Sequence, residues 1–350
     1  MLTAIMLDTF CERILNPVDA PFLSAYAQQT HARRLLPTLG FNYQYSWISG
    51  VTPEQANKPF YYALNPSMAS ETDNSLNQHF VSQKLFAREP NQDPLLPKEF
   101  NLSFPAACRD RKTLFELAEE QGKSCLAFPY PDYRNIEQLE EMGVEALSEP
   151  DFLYLHIPDL DMIAHQESAD SSRFKTMLKR IDGFLQSLIE ARQGQVMIFG
   201  DHGAVDVEET VDLMTHIEEF IGQNSQPGDV TYFIDLTFVR FWGEPSLIND
   251  LTTHLQSRLP VTELTRDRLK ESGFENIDER FGQRFVIANK GVIFEPNAFK
   301  STFEYKSSHG YLPEVIENHS LGVFSDLNNS ENPSNFVDLY YWCKSRLEQQ

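Results

Sequence analysis

The stretch VMIFGDHG, residues 196–203, places four apolar residues and a glycine before an aspartate and a histidine. A short apolar run that follows a long helical pattern and Gly194 is typical of a buried strand. Strands that alternate with helices indicate a mainly parallel sheet covered by helices on both faces. Ligands of such sheets bind beyond the carboxyl ends of the strands, so Asp201 and His202 stand where a binding site is expected.

The same alternation recurs along much of the chain. A long amphipathic pattern at 171–192 carries its apolar residues on one stripe, as a helix packed on a sheet does. Apolar runs predict strands at 2–7, 125–128, 152–157 and 196–199, and helical patterns cover 112–121, 171–192 and 334–348. We therefore predict an α/β fold, a mainly parallel sheet sandwiched between helices.

The pattern of alternating strands and helices changes between residues 206 and 300. Strand-like segments at 231–242 and 285–294 are mixed there with polar helices around 246–258 and 262–272. We predict that 206–300 is an inserted α+β cap that packs over the active edge of a core formed by 1–205 and 301–350.

Six residues of metal-ligand type fall at or just beyond predicted strand ends. Asp and His are oxygen and nitrogen ligands that Zn²⁺ accepts, and six of them could hold two ions. Singly, each has an ordinary explanation, such as a helix cap or a loop residue, but their joint position at one sheet edge favours a metal site. The candidate ligands are Asp8, Asp161 and His165 (spaced i, i+4), Asp201, His202 and His309.

The remaining histidines lie outside this pattern. We expect His156 to be a core or edge residue of its strand, and the others to be surface or packing residues: His31, His79, His216, His254 and His319.

The chain lacks the complete sequence motifs of three other kinds of site. The GKS at 122–124 has Leu117 where a phosphate-binding loop needs its upstream glycine. The chain also has no G-x-S-x-G nucleophile elbow and no G-x-G-x-x-G after a strand.

The net charge of the chain argues against some classes of binding partner. The chain has 350 residues and a formal net charge of −22, which repels nucleic acid polymers and anionic lipid. No apolar run is long enough for a membrane span, and the first ten residues do not resemble a signal peptide. The four cysteines show no CxxC pairing and are expected to be reduced, so we predict a cytoplasmic protein.

Together, Asp8, PDLDMIAH (158–165), FGDHG (199–203) and SSHGY (307–311) resemble the metal motifs of the alkaline phosphatase superfamily. They are most similar to its type I phosphodiesterase/nucleotide pyrophosphatase branch. The segment TLGFNYQYSWISGVTPEQ at 38–55 resembles the nucleophile segment of that branch, which ends in a T-G-x-x-P-E turn. Sulfatase relatives need a C/S-x-P-x-R motif, and the closest match, residues 103–107, lacks the arginine.

The resemblance implies two divalent ions, with Zn²⁺ as the expected metal. One would be held by Asp161, His165 and His309. The other would be held by Asp8, Asp201, His202 and the nucleophile. Two residues depart from the branch: Thr9 and Ala164 stand where it usually has glycine.

The resemblance leaves two mechanisms open. Counting back from Gly50 puts Gly40 at the position of the attacking Thr or Ser. Thr38, two residues earlier, could attack and form a covalent phospho-enzyme. Alternatively, a zinc-bound hydroxide attacks while Asn42 steadies the phosphoryl oxygens.

We thus predict a two-metal hydrolase of phosphate diester or pyrophosphate bonds in a small phosphorylated substrate. The alternatives are a phosphomonoesterase or phosphotransferase on the same scaffold, and a non-catalytic relative that binds a phosphorylated ligand. Within the cap, Arg240 could bind a substrate phosphate and Trp242 a base or sugar, although both could simply pack the insertion.

Overall fold

The computed structural model describes residues 1–37, 39, 44–55, 60, 62–64, 100–102, 112–129, 132–226, 228–272, 274–299 and 302–349. Thr38 and Asn42, the candidate nucleophile and its alternative partner, lie outside these residues.

The described strands are β1 (Leu2–Leu7), β2 (His31–Leu35), β3 (Tyr62–Leu64), β4 (Phe100–Leu102), β5 (Cys125–Phe128), β6 (Phe152–Ile157), β7 (Gln195–Phe199), β8 (Val205–Asp206), β9 (Glu209–Val211), β10 (Val230–Ile234), β11 (Phe238–Gly243), β12 (Val261–Glu263), β13 (Arg284–Ala288), β14 (Val292–Phe294), β15 (Ser307–Ser308) and β16 (Ser320–Phe324). The described α-helices are α1 (Pro21–Gln29), α2 (Gln44–Ser49), α3 (Leu114–Glu120), α4 (Ile136–Met142), α5 (Val144–Ser148), α6 (Asp159–Glu167), α7 (Ser172–Ala191), α8 (Leu213–Asn224), α9 (Pro245–Arg258), α10 (Arg266–Glu271) and α11 (Phe336–Gln349). Short 3₁₀ turns lie at Glu12–Ile14, Glu279–Phe281 and Ile316–Asn318.

A six-stranded sheet in the order β2-β16-β7-β1-β6-β5 forms the centre of the molecule. β1, β5, β6 and β7 run parallel, whereas β16 lies antiparallel between β2 and β7. Every residue of β1 and β6 is buried, as expected for parallel strands with helices on both faces. The predicted α/β class is confirmed, and β2 and β16 add two strands that the apolar runs did not indicate.

Two apolar clusters cover the two faces of this sheet. On one face α1 and α7 contribute side chains such as Leu23, Leu178 and Leu185. On the other face α2, α3 and α11 contribute side chains such as Trp47 and Leu339. Helix α7 begins after Ser171, whose hydroxyl accepts a hydrogen bond from the Phe174 N–H and satisfies one free donor of the first turn.

A second, antiparallel sheet has the order β10-β11-β13-β12, and its strands all fall within the predicted cap. Helices α8 and α9 pack on it through an apolar cluster that includes Ile217, Leu251 and Val286. The segment predicted as one strand at 285–294 is two strands that turn near Gly291, which has a φ of +78°. The helix predicted at 262–272 is shorter because Val261–Glu263 pairs with β13 as a strand.

Within the described part of the chain, no helix combines the length and the hydropathy that a bilayer span requires.

Candidate metal centre

All six predicted ligands lie close together beyond the carboxyl ends of the central strands. Ligand atoms of Asp8, Asp201 and His202 lie within 4.8 Å of one another, and so do those of Asp161, His202 and His309. The sixth residue, His165, has its Nε2 3.2 Å from Oδ2 of Asp161. The site therefore forms at the edge of the sheet that the sequence indicated.

Strands β1 and β7 set the positions of two carboxylates. They are neighbours in parallel register, with Met6 opposite Phe199, so the residues that follow them emerge side by side. His202 Nε2 lies 3.3 Å from Asp8 Oδ1 and 3.3 Å from Asp201 Oδ2.

Helix α6 supplies the next two ligands. It begins directly after β6, and the i, i+4 spacing places Asp161 and His165 one turn apart on the same face. The Nδ1–H of His165 donates to the carbonyl oxygen of Ser307 at 2.8 Å. Because a carbonyl only accepts, a proton is held on Nδ1, and Nε2 is the ring nitrogen that faces the carboxylates.

The two glycines of GDHG are required by close packing. A Cβ on Gly200 would lie 2.3 Å from the carbonyl oxygen of Phe10, and one on Gly203 would lie 2.1 Å from that of Glu317. Between them, His202 donates from Nδ1 to the Gly203 carbonyl at 3.0 Å, which again leaves Nε2 as the ligand atom.

His309 reaches the site from the late segment that follows β15. Its ring stacks on that of His202, with centroids 3.5 Å apart and an interplanar angle of 11°. The segment is held by the side chain of Asn318, which accepts from the Gly310 N–H at 2.9 Å. It is also held by Thr237 of the predicted cap, whose hydroxyl donates to the Gly310 carbonyl at 2.9 Å.

The charges of this cluster are poorly balanced without a cation. Burial, and then the carboxylates of Asp201 and Asp161, raise the pKa of Asp8 well above its usual range. Burial works in the same direction on Asp161, but His165, His202 and His309 outweigh it and lower the pKa of that carboxyl. Burial, and then His202, lower the pKa of His309, so its imidazole is neutral and offers a lone pair.

These properties fit divalent metal ions. Three carboxylates and three imidazoles make a nitrogen and oxygen donor set of the kind that Zn²⁺ accepts. Asp8 Oδ1 is buried and accepts no hydrogen bond among the described residues, as expected of an oxygen that a cation would coordinate.

The structure groups the ligands slightly differently from the expectation. The resemblance assigned His165 to the ion of Asp161 and His309. In the structure His202 is the third member of that group, and it also belongs to the group of Asp8 and Asp201. His165 contacts the group through Asp161.

Two residues near the ligands were not predicted to contribute. His156 does lie within its strand, as expected, but its Nε2 is 3.5 Å from Asp8 Oδ2. Burial lowers the pKa of His156 to about 4, so it is neutral at physiological pH. Thr9 was noted only as a departure from glycine, yet its hydroxyl donates to Asp161 Oδ1 at 3.1 Å. His156 could have been indicated by its strand: β6 lies beside β1, and β1 leads directly to Asp8.

Arg240, the expected phosphate contact, is fully buried in the cap. Its guanidinium lies over the rings of Phe60 and Phe233 at 4.8 and 4.7 Å and donates to the Phe281 carbonyl at 3.1 Å. Trp242 is also buried, and its indole N–H donates to the Glu279 carbonyl. These contacts favour the alternative that both residues pack the insertion.

The end of the predicted nucleophile segment is described, although its start is not. Helix α2 leads to Gly50, and the Thr52 hydroxyl then accepts from the Gln55 N–H at 3.1 Å. The Glu54 carboxylate accepts from the backbone N–H of Glu275 at 2.8 Å, so this turn is fastened to the predicted cap.

Comparison with known proteins adds an independent observation. The family model described as "Type I phosphodiesterase / nucleotide pyrophosphatase" matches residues 60–244, which is more than half of the chain. The match includes Asp161, His165, Asp201 and His202. A comparison with curated protein sequences gives no match.

Solved structures of similar fold include murine and human ectonucleotide pyrophosphatase/phosphodiesterase 5. An inactive variant of the murine protein in complex with AMP is 13% identical, with a TM-score of 0.70 over 99% of this chain and 94% of that chain. A second structure of the murine protein is 14% identical, with a TM-score of 0.69 over 99% and 95% of the two chains. The human protein is 14% identical, with a TM-score of 0.68 over 99% and 94%. At this identity the likeness establishes the fold.

Proposed function

Because this chain belongs to the type I phosphodiesterase/nucleotide pyrophosphatase family, we propose that it is a two-metal hydrolase of phosphate diester or pyrophosphate bonds. The observation that carries the proposal is the convergence of three carboxylates and three imidazoles at one sheet edge. Zn²⁺ is the expected metal, since Asp and His in this number suit two ions with open positions.

In the proposed site, Asp8, Asp201 and His202 would hold one ion, and Asp161, His309 and His165 would hold the other, with His202 within reach of both groups. Bound ions would supply positive charge to the phosphoryl oxygens of the substrate. The protein's own contribution is orientation: the carbonyls of Ser307 and Gly203 fix the tautomers of His165 and His202.

The attacking group is proposed in two forms. In the first, the Thr38 oxygen bonds to phosphorus as the leaving group departs, and water later cleaves the phospho-threonine. In the second, a water molecule attacks directly and the Asn42 amide donates to the phosphoryl oxygens.

We propose a small, nucleotide-type substrate. The family description supports this choice, and one structural relative was solved in complex with AMP. The net charge of −22 argues against a nucleic acid polymer, which requires basic surface. A phosphomonoesterase or phosphotransferase remains the second candidate, and a ligand-binding protein without turnover the third.

We also propose that the protein acts in the cytoplasm. Cys11, Cys125 and Cys343 are free thiols in the described part of the chain, which suits a reducing compartment. Fractionation of cells that produce a tagged full-length chain tests this, and recovery of the protein in the secreted or periplasmic fraction would contradict it.

The deciding experiment combines metal analysis with a substrate pair. We expect about two zinc ions per chain by elemental analysis, and faster turnover of bis-p-nitrophenyl phosphate than of p-nitrophenyl phosphate. Faster turnover of the monoester would favour the phosphatase alternative. Bound metal without turnover of either, or of a dinucleotide pyrophosphate, would favour the binding protein, and a folded chain free of metal would overturn the proposal.

A further inference from the structure

The chain turns sharply where β1 enters the metal centre. The N–H of Phe10 donates to the carbonyl of Leu7 at 3.0 Å, which closes a four-residue turn. Thr9, the third residue of this turn, has a φ of +65°. Glycine and asparagine are the residues usually found at such a position.

A threonine is an unfavourable choice for this backbone. The left-handed region brings Cβ close to the following carbonyl, and a β-branched side chain worsens the crowding. A residue held there costs on the order of 1–3 kcal/mol and persists only where its surroundings enforce it. A threonine at this position therefore indicates a contact that glycine would not supply.

Two hydrogen bonds join Thr9 to the ligands, and the first of them is one that glycine could not make. Its hydroxyl donates to Asp161 Oδ1 at 3.1 Å, and its backbone N–H donates to Asp201 Oδ1 at 3.4 Å. Asp161 belongs to one group of ligands and Asp201 to the other. Thr9 is 1% exposed, so neither hydrogen bond competes with bulk water.

We infer that Thr9 is a positioning residue that ties the two halves of the metal centre together, an inference that rests on the proposed two-metal function. The backbone N–H would be present with any residue except proline. The hydroxyl is the contribution of threonine, and it orients Asp161, whose Oδ2 faces His165 at 3.2 Å. Removing it would leave that carboxylate free to rotate away from the geometry that the ion requires.

Three variants separate the hydroxyl from the backbone conformation. Thr9→Ser keeps the hydroxyl, Thr9→Val keeps the shape and the unfavourable backbone but removes the hydroxyl, and Thr9→Gly removes both. Thr253→Ala, at an exposed helix position, is the matched control. For each full-length protein, the affinities of both ions are measured by zinc competition with a chelator, and the metal-free protein is unfolded by heat.

We expect Thr9→Val and Thr9→Gly to weaken zinc binding roughly 10- to 100-fold, as loss of an outer hydrogen bond to a ligand typically does. Thr9→Ser should stay close to the parent. The metal-free Thr9→Gly protein should unfold at a higher temperature than Thr9→Val, because glycine adopts a positive φ without crowding. A purely structural Thr9 would not weaken zinc binding in a variant whose metal-free form is more stable.

The two proposals fail in different ways. If the parent protein binds no metal, the two-metal function itself is overturned. If the parent binds two ions and Thr9→Gly binds them with unchanged affinity, only the role of Thr9 is overturned. Should Thr9→Val not fold, the comparison of Thr9→Gly with Thr9→Ser still decides the question.

Discussion

Asp201 places Oδ2 3.3 Å from Nε2 of His202 and is buried with His202 and Asp8. We expect Asp201→Asn to lose at least one of the two ions, since the amide removes a negative charge while keeping the size of the side chain. Turnover should fall by more than about 100-fold, which exceeds the loss typical of removing a residue that only hydrogen-bonds to a ligand. Elemental analysis and initial rates measure both effects.

Asp250→Asn is the matched control, because Asp250 is exposed on α9. It should keep both the metal and the activity. An Asp201→Asn protein with a full complement of metal would contradict the assignment of Asp201 as a ligand.

Thr38→Ala distinguishes the two proposed attacking groups. Loss of most turnover with metal content intact is the result expected for covalent attack by Thr38. Asn42→Ala, measured beside it, should then have the smaller effect. Turnover that survives in Thr38→Ala but falls in Asn42→Ala would instead support direct attack by water.

For individual residues, the sequence predicted which residues are metal ligands better than it predicted the contacts that they make. Asp8, Asp161 and Asp201 could be found because ligand-type residues at strand ends form a recognisable pattern. Arg240 could not be assigned, because a charged residue on a strand looks the same in sequence whether it faces substrate or a cluster of aromatic rings. His156 and the hydroxyl of Thr9 depend on which strands are neighbours, which only the fold determines.

Strands β10 and β11 enclose a buried ion pair that should make the cap sensitive to pH. Asp235 Oδ2 lies 3.6 Å from Arg240 Nε. Burial raises the pKa of Asp235 from 3.8 to about 6, although Arg240 opposes the shift. The folded protein therefore binds this proton more tightly than the unfolded chain does, so its contribution to stability is complete below about pH 4 and is lost as the pH rises towards 6.

We expect this carboxyl to remove roughly 2 kcal/mol from the free energy of unfolding between pH 4 and pH 7. Asp235→Asn, which cannot titrate, should lack this part of the decline. Urea unfolding of both proteins across this range gives the difference, with Asp250→Asn as the control that keeps the parental slope. Equal slopes for Asp235→Asn and the parent would show that Asp235 does not titrate in this way.

The elements themselves were largely predictable where their patterns were long. Helix α7 was expected at 171–192 and is observed at Ser172–Ala191, because its apolar stripe and its serine cap mark both the face and the start. β2 was missed since HARRL carries three polar residues and its burial is partial. β16 was missed because its apolar run, SLGVF, is short and interrupted by Gly322.

For the molecule as a whole, the surface charge opposes the substrate class that we propose. A net charge of −22 repels anionic substrates until they reach the ions. Salt screens this repulsion, with a Debye length that shrinks from about 30 Å at 0.01 M to about 10 Å at 0.1 M. We therefore expect the KM to fall a few-fold over this range, with little change in kcat.

The KM should depend more steeply on salt concentration for a dinucleotide pyrophosphate than for the singly charged bis-p-nitrophenyl phosphate. Initial rates at fixed metal saturation in sodium chloride provide the test. A KM that rises with salt would mean that the field near the metal centre, rather than the outer surface, governs the approach of the substrate.

The antiparallel strand β16 has a consequence for synthesis of the protein. It follows the other five strands of the central sheet in sequence, yet it fills the gap between β2 and β7. Until the ribosome has passed residue 324, β2 lacks its partner β16 in the central sheet and one edge of β7 stays open. An open strand edge is a template for pairing with other chains. Premature termination before β16 would therefore yield an aggregation-prone product, and the central sheet can finish folding only after this last strand has been made.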